Sequence, residues 1–155
     1  MDIENYKDMK EVVISIRSTH GYGREEQDTM DFTTDGLYRF KGGVGEMSYF
    51  ESDVTGLDGT LTSLLVKPDE VVIDRKGSLQ SRMVFREGSK NDFVYSTPYG
   101  SAMMGVDTRR IRHSFNEAGG SMEIDFIVNM EHTFVAQNRF RLNVREIQNG
   151  GHKNG

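Results

Sequence analysis

The sequence predicts an all-β domain, a single closed antiparallel up-and-down β-barrel of about ten strands, and three observations carry that expectation. Apolar and polar residues alternate from about residue 10 to residue 147, and a period of two marks a strand with one face in a core and the other in water. Seventeen glycines stand against two prolines, so tight turns are plentiful and residues that break a ladder are scarce. Turn signals recur roughly every 8 to 14 residues, and no apolar spacing of three and four supports a helix. An antiparallel meander of this length has to manage its edges, which closing into a barrel removes. Short hairpin connections favour up-and-down order over a two-sheet sandwich.

The clearest strand is Met122-Glu123-Ile124-Asp125-Phe126-Ile127-Val128-Asn129-Met130, apolar at every even position and polar at every odd one except Ile127. The next keeps the pattern, with Asn138, Phe140, Leu142 and Val144 on one face and Arg139, Arg141, Asn143 and Arg145 on the other. Upstream, Ile111, His113 and Phe115 form an apolar line closed by Glu117-Ala118-Gly119-Gly120, a hairpin loop whose glycines can take positive φ. Thr97-Pro98-Tyr99-Gly100 and Lys67-Pro68-Asp69-Glu70 read as turns with proline at the second position. Lys41-Gly42-Gly43, Lys76-Gly77-Ser78 and Glu87-Gly88-Ser89-Lys90 separate further strands. Gly36 falls inside a strand and reads as a bulge. The domain therefore spans 10–147, with tails at 1–9 and 148–155.

Composition excludes several functions. With no cysteine, disulfides and thiolate metal sites are impossible. A net charge of −5 argues against a general nucleic-acid binder, which needs clustered Lys and Arg. No stretch approaches the roughly 20 apolar residues of a membrane span, and the acidic start Met1-Asp2-Ile3-Glu4-Asn5 is not a secretory signal. The expectation is a cytoplasmic protein, monomer or homodimer, with no nucleic-acid or membrane partner.

The order of certain motifs is also informative. Thr55-Gly56-Leu57-Asp58-Gly59-Thr60, Arg75-Lys76-Gly77-Ser78 and Tyr95-Ser96-Thr97-Pro98-Tyr99-Gly100 are followed by Gly119-Gly120 and by Asn138-Arg139-Phe140-Arg141-Leu142. In that order the chain resembles, along nearly its whole length, the bacterial domain-of-unknown-function family nineteen-thirty-four. The resemblance implies a calycin-like (lipocalin-like) barrel in a cytosolic protein, and it brings no catalytic residues with it.

Catalytic signatures are missing. There is no Gly-x-Ser-x-Gly elbow, Walker loop or His-Glu-x-x-His. The glycine-rich Gly21-Tyr22-Gly23 and Gly42-Gly43-Val44-Gly45 precede no helix that could hold a phosphate. Asp53-Val54-Thr55-Gly56-Leu57-Asp58-Gly59 lacks the closing Glu of a calcium loop. His20, His113, His132 and His152 are scattered, so no catalytic residue, metal or cofactor is expected.

Polar residues in phase with apolar ones are the better candidates. Tyr49 and Glu51 follow Met47, Arg75 follows Val71 and Ile73, Tyr95 and Thr97 follow Phe93, and Asn138 precedes Phe140. Ser81 and Glu87 flank Met83 and Phe85, and His113 shares the face of Ile111 and Phe115. An inward charge must pair, ionise differently or meet a ligand, and Glu51 with Arg75 is the expected pair. The candidate interior is therefore Tyr49, Glu51, Arg75, Tyr95, His113 and Asn138. Outward, pairing Phe115 with Met122 sets Arg112 opposite Asp125 and brings Arg139 and Arg141 near Asp125 and Glu123, a ladder of opposite charges. Arg110, Arg112, Arg139, Arg141 and Arg145 could also hold an anion.

Three functions remain. The leading one is a non-enzymatic barrel that holds a small, partly apolar or amphipathic molecule in its interior. The second is a scaffold or protein-interaction module with a packed core. The third is a hydrolase-like enzyme using Glu51, Arg75 and His113, which requires those three side chains to converge.

Overall fold

The computed structural model describes residues 8–21, 27–131 and 133–147. Apart from Asp8 and Met9, the two expected tails lie outside the described residues. Among the described residues ten strands follow one another: β1 (Lys10–Gly21), β2 (Gln27–Lys41), β3 (Val44–Phe50), β4 (Leu61–Val66), β5 (Val71–Lys76), β6 (Ser81–Phe85), β7 (Lys90–Thr97), β8 (Gly100–Asn116), β9 (Gly119–Met130) and β10 (Thr133–Glu146). The alternation in the sequence becomes alternation in burial. In β1, Val12, Ile14, Ile16 and Ser18 are buried while Glu11 and Arg17 are exposed.

All pairs are antiparallel, in the order β6-β5-β4-β3-β2-β1-β10-β9-β8-β7. The chain thus forms a nearly closed ten-stranded barrel. Its two ends are zipped together through ten residue pairs, from Val12 opposite Glu146 to Gly21 opposite Gln137. The break falls mid-chain, between the consecutive strands β6 and β7. That seam is closed by one reciprocal bridge, Gln80 N–H to Ser96 O at 2.8 Å and Ser96 N–H to Gln80 O at 2.9 Å. Thr108 N–H donates to Ser89 O at 3.0 Å and Thr108 O accepts from Gly88 N–H at 2.9 Å. The Asn91 side chain donates to Val84 O at 3.2 Å, standing in for a missing ladder bond.

Bulges fall elsewhere than expected. Gly36 pairs regularly with Val12. It needs to be glycine because a Cβ there would lie 2.6 Å from Ser48 O and 2.4 Å from Ile14 Cδ1. The β2–β3 ladder runs only from Leu37 to Lys41, so Gly36 marks where β3 parts from β2. The actual register shifts lie between Thr108 and Arg110 and between Phe134 and Ala136. One extra residue at Arg109 switches β8 from even positions inward (Val106, Thr108) to odd (Ile111, His113, Phe115).

The β8–β9 turn is tighter than the sequence suggested. Glu117-Ala118 alone turns, so Phe115 faces Gly120, Arg112 faces Glu123 and Arg110 faces Asp125. The slip is two residues, so every side chain keeps its face.

Core packing is uneven along the barrel axis. At the end carrying the β2–β3, β4–β5 and β8–β9 turns, Val12, Ile14, Tyr38, Met47, Leu64, Val66, Val71, Ile124, Leu142 and Val144 are buried in one cluster. The Tyr38 hydroxyl crosses this end to donate to Asn116 O at 2.5 Å, and its ring lies 6.1 Å from that of Phe115. This half of the barrel is full.

Two predictions follow from this packing. Gly36→Ala overpacks the Ile14–Ser48 contact and lowers unfolding free energy by about 1–3 kcal/mol, measured by urea denaturation; a wild-type midpoint would contradict it. Burial pushes the Tyr38 phenol up to about 12, above the unfolded value of about 10. Folding therefore favours the protonated phenol, and its contribution, complete below pH 10, is lost as pH rises from 10 to about 12. Tyr38→Phe should flatten that alkaline limb of stability against pH, and an unchanged limb would refute the assignment.

Candidate functional site

The other half of the barrel is hollow. A cavity of about 340 Å³ opens at the end where the β3–β4, β5–β6 and β7–β8 connections lie. Its walls are mostly apolar: Ile16, Met30, Phe32, Ile73, Met83, Phe85, Phe93, Met104, Phe126 and Phe140. The Phe85 and Phe126 rings meet edge to face at 4.9 Å. Larger spaces of about 670, 900, 440 and 410 Å³ exist, but they are lined mainly by outward and turn residues such as Arg17, Asp31, Arg86, Glu87, Lys90 and Arg139.

Polar groups reach the cavity along two rows. The first crosses four strands in register: Tyr49 faces Thr62, Thr62 faces Arg75, and Arg75 faces Ser81. Side chains directly opposite in adjacent strands share a face, so all four point inward. Glu51, just past β3, sits over this row with its side chain 3% exposed. Its Oε2 accepts the Thr62 hydroxyl at 2.5 Å and lies 3.7 Å from Arg75 Nε. Burial, reinforced by the Glu51 charge, drives the Tyr49 phenol well above its ordinary value. It stays a neutral donor.

The second row lies across the barrel on β1 and β10. His20 faces Asn138 in the ladder, and its Nδ1 contacts Asn138 Oδ1. His20 Nε2 is 3.2 Å from the Ser18 hydroxyl, and Asn138 Nδ2 donates to Ala136 O at 3.2 Å. Ser18, His20 and Asn138 all line the cavity.

The connection 51–60 is fastened over this end. Glu51 N–H donates to Thr60 O at 2.8 Å, the buried Thr60 hydroxyl meets Ser78 Oγ at 2.8 Å, and Leu79 N–H donates to Thr60 Oγ1. Thr55 and Leu57 thereby join the lining. Tyr95, 39% exposed, stands at the rim.

Five of the six expected interior residues, Tyr49, Glu51, Arg75, Tyr95 and Asn138, line this one cavity. His113 does not. It lies at the packed end, with Nε2 3.3 Å from Pro68 O and its ring 6.5 Å from Phe115. The convergence of Glu51, Arg75 and His113 that a hydrolase would need is therefore absent. The Arg109 bulge keeps His113 on the inner face, but its height along β8 sets it beside the β4–β5 turn. Glu87 also points away, accepting Ile111 N–H at 2.9 Å.

Ser18, His20 and Thr62 were missed, although their signal is present. The inward series Val12-Ile14-Ile16 continues in phase to Ser18 and His20, and Thr62 precedes Leu64 and Val66. Among the described residues no cluster of three His, Asp or Glu could hold a metal.

Of the outward arginines, Arg17, Arg139 and Arg141 are engaged with acids. Arg17 pairs with Asp31 at 2.7 Å, Arg139 with Asp125 at 2.7 Å and Arg141 with Glu123 at 2.9 Å. Hydrogen bonding to Arg17 holds the Asp31 carboxyl below its usual range. Arg139 and Arg141 thus meet Asp125 and Glu123 as the sequence suggests, in exposed pairs worth at most about 1 kcal/mol each.

Comparisons with known proteins match the chain over residues 14–142 to the family described as Domain of unknown function (DUF1934). Among solved structures it is similar to the ywiB protein from Bacillus subtilis, with a TM-score of 0.82 and 19% identity over 94% of this chain and 98% of that one. At that identity the likeness concerns the fold. No curated protein matches.

Thr62 supplies a hydrogen bond to a buried carboxylate, so Thr62→Val should destabilise the fold by about 1–3 kcal/mol. Denaturant unfolding checks this; a loss within error of zero would mean that Glu51 does not depend on Thr62.

Proposed function

We propose that this chain, which belongs to the DUF1934 family, is a binding protein that takes a small, partly apolar molecule into the open half of its barrel. The observation that carries this reading is the pairing of a full half with a hollow one. A cavity of about 340 Å³ lies within the roughly 300–1,000 Å³ range of small-molecule sites, and apolar walls with a few converging polar groups are their usual character. The β1–β10 ladder and the packed end hold the walls in place without occupying the space. The low hydrophobic fraction of 35% also fits a barrel that is filled only in part.

A second reading, an interaction module, has one observation in its favour. Phe50, Val54, Val94, Tyr99 and Met103 are all highly exposed, and all belong to the open end. Such a collar can serve a protein partner or the entry of an apolar ligand.

Methionines make the test direct. Met30, Met83 and Met104 line the cavity, whereas Met47 and Met122 are buried in the core beyond its lining. Titration of methyl-labelled protein with 1-octanol should shift the first three resonances and leave Met47 and Met122 in place. No shift, or a uniform shift of all five, would overturn the binding reading and leave the interaction module.

A further inference from the structure

Resting on the cavity's role as a binding site, we infer that its occupant carries a neutral carbonyl head group of the amide type, seated on Arg75 and Ser81, and not a carboxylate. Arg75 Nε and Ser81 Oγ are both buried and without a hydrogen-bond partner among the described residues. Native proteins leave few such groups unmatched, and an unmatched pair facing a cavity is where water or a ligand atom is bound. The two residues are direct partners in the β5–β6 ladder, so their side chains rise together from one face, with Cβ atoms roughly 5 Å apart. Both line the cavity. Arginine offers only donors and the serine hydroxyl can donate too, so they call for one acceptor with two lone pairs, which is what a carbonyl oxygen provides.

Charge decides which acceptor. Glu51 Oε2 already lies 3.7 Å from Arg75 Nε, and the side chains are 3% and 17% exposed. The guanidinium is therefore balanced before any ligand arrives. A ligand carboxylate would place a second anion beside Glu51 in a poorly solvated space, where like charges are strongly disfavoured. A neutral carbonyl accepts the same hydrogen bonds without that repulsion. The Glu51 carboxylate, held by Thr62, remains an acceptor on the same row and suits the N–H of an amide better than another oxygen anion. Away from this row, Ile73, Met83, Phe85, Phe93 and Phe126 enclose the remainder of the molecule, which must be apolar.

Octanamide and octanoate carry the same chain and differ only in the head. Titrated into the whole protein at neutral pH by calorimetry, with methionine methyl shifts recorded in parallel, octanamide should bind at least about tenfold more tightly than octanoate. Ser81→Ala should weaken octanamide by several-fold and leave octanoate nearly unchanged, with the wild-type unfolding midpoint confirming that the variant is folded. Arg75→Lys keeps a cation beside Glu51 but loses the planar fork, and should narrow the preference for the amide. Octanoate binding as tightly as octanamide, with Met30, Met83 and Met104 still shifting, would overturn the head-group inference and leave the cavity reading intact. Wild-type affinity in Ser81→Ala would remove Ser81 from the site. If neither compound shifted the cavity methionines, the binding reading would fall, and this inference with it.

Discussion

The ladder between β1 and β10 is the constraint on which the rest of the molecule depends. It joins residues more than a hundred positions apart, from Val12 with Glu146 to Gly21 with Gln137, and closing so long a loop carries a substantial entropic cost. Once it forms, neither chain end leaves an open sheet edge. The break is displaced to β6 and β7, where the bridge of Gln80 with Ser96 and the bonds around Thr108 suffice. Those strands are joined by a short turn, so they stay close without a full ladder.

Two local departures from regularity shape the interior of this closed wall. At Gly36 the backbone of β3 approaches so closely that no side chain fits, and beyond that point β2 runs with β1 alone. At Arg109 the extra residue bends β8 and reverses which of its residues face inward. The turn end closes on aliphatic side chains and Tyr38. The other end widens into a space lined by phenylalanines and methionines, side chains large enough to form walls and, in the case of methionine, adaptable to the shape of what they enclose.

The polar row at the hollow end carries a stability cost that hydrophobic replacements would avoid. A buried ion pair seldom repays its desolvation, while removing one partner alone is strongly destabilising. Glu51 and Arg75 sit at 3.7 Å, longer than a direct hydrogen bond, and part of the arginine's donor capacity is unspent. Facing them, the Ser18–His20–Asn138 chain satisfies its members more fully. The cavity thus has one settled polar wall and one unsettled, and the unsettled wall is where a ligand's polar atoms gain most.

While the two-residue length of the β8–β9 turn came from the pairing, alternation of side chains, punctuated by glycine and proline, by itself determined the all-β class, the strand sequence, the turns at 41–43, 67–70 and 97–100, and the inward phase of Tyr49, Glu51, Arg75, Tyr95 and Asn138. These features are local, because a period of two assigns each residue to a face whatever the strand pairs with. Position along the barrel axis is not local. His113 and Arg75 read alike, in phase with apolar neighbours, yet one lies beside the Pro68 turn and the other in the cavity. The regular pairing of Gly36, the bulge at Arg109 and the partnership of His20 with Asn138 likewise depend on which strand lies alongside and in what register. Only the tertiary structure decided them, because register comes from contacts between residues far apart in the chain, and those contacts also set which half of the barrel is full.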